Sequence, residues 1–430
     1  MNAGSKPALF VFWDVEQAPI GELTRQADGA TSFRYLPGAG ARRPISHSLP
    51  LDDGEREHPG TFFENLLPDG IQRERLARRL GVSDASTFAM LEVVGGDCAG
   101  ALTVARWPLA VRARATPRPL DEALLRKLLE TGVVPTVVSE GLRLSLAGAQ
   151  DKLPVVLRDG TLALPEGRAA STHILKLPNR DFPGLVDNEH FLLELARDAG
   201  LPVVRSVRWP LPAAGRERFG LLVERFDRAG GRRLHQEDLC QATGMPPSRK
   251  YQADSGPSLL DVVAVLDAAS TEPRDIAQLV RWQAFNVATG NNDGHAKNLS
   301  LRREPAVCLA PAYDLVCTRA WDSLSKDLAF GVAEVRDGGA VGPVAWSRFA
   351  EEARVGRRLV LDAVAQVTTA VAERATAVAN AVIEAGADER AVSRALECVR
   401  RCARRALRLA ELERPPVRAP ARRRPKRATR

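Results

Sequence analysis

Short strand-like runs separated by turn-forming clusters mark the first hundred positions of the chain. Residues 9–13 (Leu9, Phe10, Val11, Phe12, Trp13), 31–35 and 44–49 each predict a strand, and clusters of Gly, Pro and Asp separate them. A helical pair follows over 62–69 and 71–80. The run Gly95-Gly96-Asp97-Cys98-Ala99-Gly100-Ala101-Leu102 predicts a close backbone approach at a helix-to-strand junction. Residues 112–121, with Pro117 and Pro119, read as a linker. From 122 to 233 short strands alternate with helices, and from 261 onward the pattern is mainly helical. Ile276, Val280, Ala284 and Val287 recur at helical spacing between Pro273 and Gly290, a start and a stop signal. Residues 298–301 and 306–309 read as two short strands around a turn at 302–305. Residues 361–412 predict a helical pair broken near Gly386. No internal repeat is visible. The pattern divides the chain into a strand-rich unit at 8–110, a strand–helix unit at 122–233 and a helical unit at 234–413.

Composition narrows the class. The 430 residues suffice for two or three domains, and the apolar fraction of 45% with 27% charged residues is ordinary for a globular protein. No apolar run approaches the length of a membrane span, and the first residues lack a signal-peptide core. The six cysteines (98, 240, 308, 317, 398, 402) show no CxxC spacing, and Cys398 and Cys402, one helical turn apart, read as packing thiols. A reducing cytoplasm is expected. The net charge of +8 is confined to residues 414–430, which hold eight Lys or Arg and no acid, so the remaining body is formally neutral. With four prolines that tail is predicted to be disordered. Salt-sensitive attraction to nucleic acid and a solvated tail without a specific role are both open readings.

Candidate chemistry concentrates in Gly290-Asn291-Asn292-Asp293-Gly294-His295-Ala296-Lys297-Asn298 and Pro311-Ala312-Tyr313-Asp314-Leu315. An Asp and an Asn five apart, then a second Asp 21 positions after the first, match the layout of a protein-kinase active site. There the first Asp faces the attacking hydroxyl, and the Asn and second Asp supply hard oxygen ligands for Mg²⁺. An Asn/Asp/Gly-rich helix exit is the bland alternative for the first stretch.

Other stretches fit the nucleotide side. Leu142-Arg143-Leu144-Ser145-Leu146-Ala147-Gly148-Ala149-Gln150-Asp151-Lys152 runs from an alternating strand through small residues that let backbone N–H groups approach an anion. It is not a Walker loop, and taken alone a tight hairpin is the better reading. Lys176 lies in the apolar strand Ser171-Thr172-His173-Ile174-Leu175-Lys176-Leu177. It either grips phosphate or points to solvent from an edge strand. Glu189 either pairs with Lys176 or lies on the surface. Leu221-Leu222-Val223-Glu224-Arg225-Phe226-Asp227 is an apolar strand ending in charge, where Phe226 covers an adenine ring or packs the strand end.

Together these residues resemble the HipA family, the kinase toxins of bacterial HipA–HipB toxin–antitoxin pairs, over roughly residues 8–375. The marks are Phe63-Glu64-Asn65-Leu66-Leu67-Pro68-Asp69, Gly96-Asp97-Cys98-Ala99-Gly100-Ala101 and Ser145 to Lys152. They continue with Thr172-His173-Ile174-Leu175-Lys176-Leu177-Pro178, Val223-Glu224-Arg225-Phe226-Asp227-Arg228, Gln236-Glu237-Asp238-Leu239-Cys240-Gln241 and the two stretches at 291–298 and 311–315. The resemblance implies an α+β, two-lobed protein-kinase-like fold with an N-terminal strand-rich subdomain and a mainly helical C-terminal lobe. It implies ATP- and Mg²⁺-dependent phosphorylation of Ser/Thr. Asp293 would then be the catalytic base, with Asn298 and Asp314 on Mg²⁺. Ala147, Gly148, Ala149, Gln150, Asp151 and Lys152 would form the phosphate loop. Lys176 would hold phosphate, Glu224 and Phe226 would contact adenine, and His295, Lys297 and Tyr313 would line the nucleotide site. Ser145 matches the position at which such kinases phosphorylate themselves and become inactive. The resemblance further implies a helix-turn-helix antitoxin like HipB as partner, operator DNA through that complex, and a substrate such as glutamate–tRNA ligase. The tail at 414–430 is outside the family pattern. Two other classes remain open: a catalytically silent kinase-fold protein that holds an antitoxin and co-represses its operon, and a small-molecule phosphotransferase.

Overall fold

The computed structural model describes residues 7–14, 16, 18–38, 43–52, 54–107, 117–131, 152–165, 169–212, 218–269 and 273–412. Ser145, the segment 147–151 and the tail at 414–430 lie outside the described residues.

The N-terminal unit is a five-stranded antiparallel sheet. Its spatial order is His58–Pro59, Thr31–Tyr35, Gly21–Arg25, Ala8–Trp13, Leu102–Ala105. Alternation puts Leu9, Val11 and Phe33 into one core with Phe62, Phe63 and Leu91 from the helices that cover the sheet. The expected approach at the glycine run is present. A Cβ on Gly95 would stand 2.5 Å from the Val104 carbonyl oxygen, so the helix Thr87–Val94 can turn into the strand Leu102–Ala105 only with glycine there. The strand expected at 44–49 is instead a turn closed by one bridge between Ser46 and Leu49. Its polar groups serve a different purpose: Ser46 Oγ donates to Glu237 at 2.5 Å, and His47 N reaches the same carboxylate.

A second antiparallel sheet has the order Ser206–Leu211, Arg218–Glu224, His173–Lys176, Lys152–Arg158, Thr161–Leu164, Arg118–Pro119. Arg118–Pro119, within the expected linker, is an edge strand of this sheet, a place where a proline costs no ladder bond. The strand carrying Lys176 is interior, which removes the edge-strand reading. The helix Leu185–Asp198 packs on this sheet and buries Phe191, Leu192 and Leu195.

The helical unit is organised by Pro273–Thr289, which buries Leu279, Trp282, Ala284 and Phe285 and stops at Gly290 with φ +70°. Two long helices, Arg357–Glu384 and Glu389–Leu412, pack on it and on each other, and Gly386 at φ +90° makes the break between them. The expected strands near 300 are shorter than read. Ser300–Arg302 and Cys308–Leu309 pair with each other, and Ser300–Arg302 also pairs with Gln236–Asp238. Residues 296–298 form a tight helical turn instead.

Candidate active site

A cleft opens between the second sheet and the helical unit, lined by Lys152 and Lys176 on one side and by Asn298 and Asp314 on the other. On the sheet side Lys152 and Lys176 are direct cross-strand partners. Like charges placed opposite each other on a sheet destabilise it unless an anion or an acid lies between them. Acids meet Lys176 from two directions: its Nζ donates to Glu189 Oε1 and to Asp314 Oδ1, both at 2.6 Å. Glu189 is therefore buried and paired, which settles the alternative left open by the sequence. Its carboxyl is pushed up to about 6 by burial, with Lys176 opposing the rise. Burial also pushes the Lys152 ammonium down to about 8.

On the opposite wall Asn298 Nδ2 donates to Asp314 Oδ2 at 2.7 Å. Lys176 and Lys152 hold the Asp314 carboxyl well below its usual range although burial opposes them. Asp314 has φ +57°, a left-handed conformation that a residue other than glycine adopts at a cost, and such strain concentrates at functional sites. Asn298 Oδ1 is buried without a hydrogen-bond partner beside this carboxylate. An orphaned amide oxygen next to an ionised carboxylate is the hard-oxygen donor set that Mg²⁺ takes when nucleotide phosphates complete its shell. These two residues fit the ion. Among the described residues no group of three His, Cys, Asp or Glu could hold a metal by itself.

Asp293 sits at the rim, its side chain exposed, and Tyr251 donates a hydrogen bond to its Oδ1 at 2.6 Å. The packed walls around it strip enough water to raise its carboxyl, and the nearby Asp314 adds to the rise while Tyr251 opposes it. His295, pushed down to about 3 by burial, is a neutral ring edge-on to Tyr251. Tyr313 stacks on Phe226 with centroids 5.7 Å apart, and its hydroxyl donates to the Lys297 carbonyl. Glu224 lies on the wall beside Phe226. The structure thus brings together Lys152, Lys176, Glu224, Phe226, His295, Lys297, Asn298, Tyr313 and Asp314 around one cleft, with Asp293 at its edge.

Some residues at this site carried no assigned role in the sequence. Lys297 Nζ donates to Asn65 Oδ1 at 2.9 Å and lies 3.2 Å from Asp238 Oδ2, so the N-terminal unit orders part of the cleft. Asp69 accepts from Lys250 at 2.6 Å, and Tyr251 follows directly. Asn65 and Asp69 belong to a quoted motif, which was the available signal. Nothing local marked Tyr251, 42 positions from Asp293.

The two-lobed fold and its charged cleft are those of a kinase. A model of the HipA-like C-terminal domain matches residues 144–378, and one of the HipA N-terminal domain matches residues 12–105. The chain is 39% identical to "Putative kinase Y4mE" of Sinorhizobium fredii over 389 residues, 85% of this chain and 90% of that one. It is 30% identical to the serine/threonine-protein kinase toxin HipA of Shewanella oneidensis over 339 residues, 74% of this chain and 77% of that one. Among solved structures, the complex of Shewanella oneidensis HipA with HipB and its operator DNA aligns with a TM-score of 0.77 at 26% identity. The alignment covers 94% of this chain and 98% of that one. The chain belongs to the HipA family and is a serine/threonine kinase, and kinase chemistry implies ATP as the phosphoryl donor. Among the described residues no helix is long and apolar enough to cross a membrane.

Proposed function

We propose that this kinase is the toxin of a type II toxin–antitoxin pair. In this reading it transfers the γ-phosphoryl group of ATP to a Ser or Thr of a translation component, such as glutamate–tRNA ligase, and so arrests growth. The observation that carries the catalytic reading is the triple contact Glu189–Lys176–Asp314–Asn298, in which one lysine is held between two acids while an amide oxygen stays free beside them. Lys176 and Lys152 are the groups that neutralise phosphate charge, and Ala147, Gly148, Ala149, Gln150 and Asp151 complete the phosphate loop. Glu224 and Phe226 contact adenine, with Tyr313 backing the aromatic face and His295 and Lys297 lining the site. Asn298 and Asp314 would hold Mg²⁺, which would supply charge neutralisation at the phosphates. Asp293, steered by Tyr251, accepts the proton of the attacking hydroxyl, and its raised pKa suits a base that must take a proton during transfer.

By analogy with the Shewanella protein, the partner is a HipB-like helix-turn-helix antitoxin, and operator DNA is reached through that complex. A cytoplasmic location accords with six unpaired cysteines. Ser145 is the proposed autophosphorylation site: a phosphate there adds roughly −1.5 to −2 charges next to a loop that receives ATP phosphates. The test is incubation with Mg²⁺–ATP and mass spectrometry of the chain and of candidate tRNA ligases, with Asp293→Ala as control. Phosphate on Ser145 and on a ligase, absent in the variant, is expected. Absence of transfer by the native chain to itself and to any partner favours the silent co-repressor instead. Induction in a bacterium should slow growth, and Asp293→Ala should relieve it.

A further inference from the structure

Asn291 and Asn292, in the same stretch as Asp293 and Asn298, touch neither nucleotide nor metal in the mechanism proposed. Both are buried immediately before the exposed Asp293. Behind Asn291 lie two more buried amides, Asn286 and Gln283, on the helix Pro273–Thr289. Burying three side-chain amides together is costly unless their polar atoms find partners. None of Gln283, Asn286 and Asn291 has a buried side-chain atom left unpaired.

Their hydrogen bonds form a chain with one direction. The Asp293 N–H donates to Asn291 Oδ1 at 3.2 Å. Asn291 Nδ2 donates to Asn286 Oδ1 at 2.9 Å, Asn286 Nδ2 to Gln283 Oε1 at 3.4 Å, and Gln283 Nε2 to the Phe330 carbonyl at 2.6 Å. A backbone N–H can only donate and a backbone carbonyl can only accept, so the two ends fix which way round all three amides lie. The Asn291 N–H separately donates to the Asn286 carbonyl at 2.9 Å and closes the helix end, so the side-chain chain is additional to the helix stop. The loop also lies close against this chain. A Cβ on Gly294 would stand 2.7 Å from Asn286 Nδ2 and 3.1 Å from the Trp282 ring. Asn292 pins the same loop from another side: its N–H donates to Thr318 Oγ1 at 2.9 Å and its Nδ2 to the Ser325 carbonyl at 3.0 Å.

We propose that Asn291, backed by Asn286 and Gln283, is a positioning residue that holds the backbone of Asp293 where its carboxylate meets the incoming Ser or Thr hydroxyl. The inference rests on the reading of Asp293 as the base and adds the residues through which that base is held. An exposed carboxylate is free to move, and a base works only within hydrogen-bond reach of the proton it takes. The chain confines the backbone that carries it. Its three amides do not titrate, so they hold the base without shifting its pKa as a nearby acid or cation would. None of Gln283, Asn286 and Asn291 lines the cleft. Loosening the chain therefore costs turnover rather than nucleotide binding, because small displacements of reacting groups are expensive.

The test is a cycle of four full-length chains: native, Asn291→Ala, Asp293→Ala and the double variant, assayed for phosphoryl transfer at saturating Mg²⁺–ATP and for ATP affinity. Asn291→Ala is expected to lower turnover by roughly ten- to a hundredfold and to leave ATP affinity nearly unchanged. In the chain that already lacks the Asp293 carboxylate, the same substitution should cost almost nothing further, since a residue that acts only through the base has nothing left to position. Losses that multiply, or a matching loss of ATP affinity, overturn the proposal. Asn286→Leu, apolar and of similar size, should also lower turnover. Asn286→Asp should recover most of that loss: burial keeps the acid protonated, and it then accepts from Asn291 and donates to Gln283 as the amide does. Equal losses in the two Asn286 variants count against the chain, and this pair decides the matter if Asn291→Ala does not fold. Amide hydrogen exchange at residue 293 reads the anchor without activity. Protection in the native chain and its loss in Asn291→Ala are expected, and free exchange in the native chain sinks the proposal. Near-native turnover by Asp293→Ala, with exchange as expected, refutes the base assignment and the turnover arm, not the anchor.

Discussion

Two buried charge networks lie a short distance apart, and they are finished differently. At the seam with the N-terminal unit, Arg225 grips Asp227 with two hydrogen bonds of 2.9 and 2.7 Å, and Asp227 also accepts from Gly100 N at 2.8 Å. Ser171 bridges Arg225 to Asp97, which Arg228 meets at 2.9 Å, and Arg233 donates to the carbonyls of Gly100 and Leu102. None of these side chains leaves a buried polar atom unpaired. In the cleft, by contrast, Glu189 Oε2, Asn298 Oδ1, His295 Nδ1, Asp69 Oδ1 and Gln236 Oε1 are buried without partners. A buried polar group left unpaired costs free energy, and a ligand entering the cleft would satisfy these five. The closed network holds two units in register. The open one lines the proposed nucleotide site.

The sharpest way to break this contrast is to alter one acid in each network. Asp314→Ala and Asp293→Ala should each reduce phosphoryl transfer by about 10²–10⁴-fold, the usual worth of a positioned base or charge, and Asp293→Ala, at the exposed rim, should leave the melting temperature near that of the native chain. Turnover measured beside thermal melting checks this, and a variant with near-native activity removes the residue from the mechanism. Asp227→Ala should do the reverse. It strands the Arg225 guanidinium and costs on the order of 3–5 kcal/mol of stability, while the molecules that remain folded keep their activity. Equilibrium unfolding in denaturant reads the loss, and an unchanged midpoint would mean the seam is not holding the units.

Acid should expose the seam. The arginines around them hold Asp97 and Asp227 below the ordinary carboxylate range, although burial alone would raise both. The unfolded chain therefore binds protons more readily than the folded one. The stability these acids contribute is complete above the ordinary carboxylate pKa of about 4, and is lost as pH falls toward their native values. Melting temperature should drop through the acid range, and Asp227→Asn should flatten that slope. A slope identical to the native one would show that other carboxylates control it.

The smallest expected effect is at the aromatic wall. Phe226→Ala removes the stack on Tyr313, and loss of such a pair is worth about 0.5–1.5 kcal/mol beyond the area it covers. ATP should bind several-fold more weakly with turnover at saturation little changed, and calorimetric titration measures it. Unchanged affinity would assign Phe226 to strand-end packing.

Much of this was readable from short windows of sequence. The helix Pro273–Thr289 and its stop at Gly290, the strands around Lys176 and Phe226, and the Asp–Asn–Asp spacing all follow from periodicity and turn chemistry within a few residues. The turn at 44–49 was misread because its residues alternate like a strand, while Ser46 and His47 are held by Glu237 from a distant segment. Arg118–Pro119 was misread for the opposite reason: prolines look like a linker until an edge strand takes them.

Tertiary structure alone decided the state of the charges. Nothing near Glu189 in sequence distinguishes a surface acid from the buried partner of Lys176, because the two lie on different elements. Tyr251 reaches Asp293, and Asn65 reaches Lys297 across 232 positions, through packing of whole units. Local sequence sets backbone conformation, since sterics and hydrogen bonding act over one turn or one strand. Whether a charge is solvated, paired or left waiting for a ligand depends on which distant group shares its low-dielectric surroundings, and only the assembled fold supplies that neighbour.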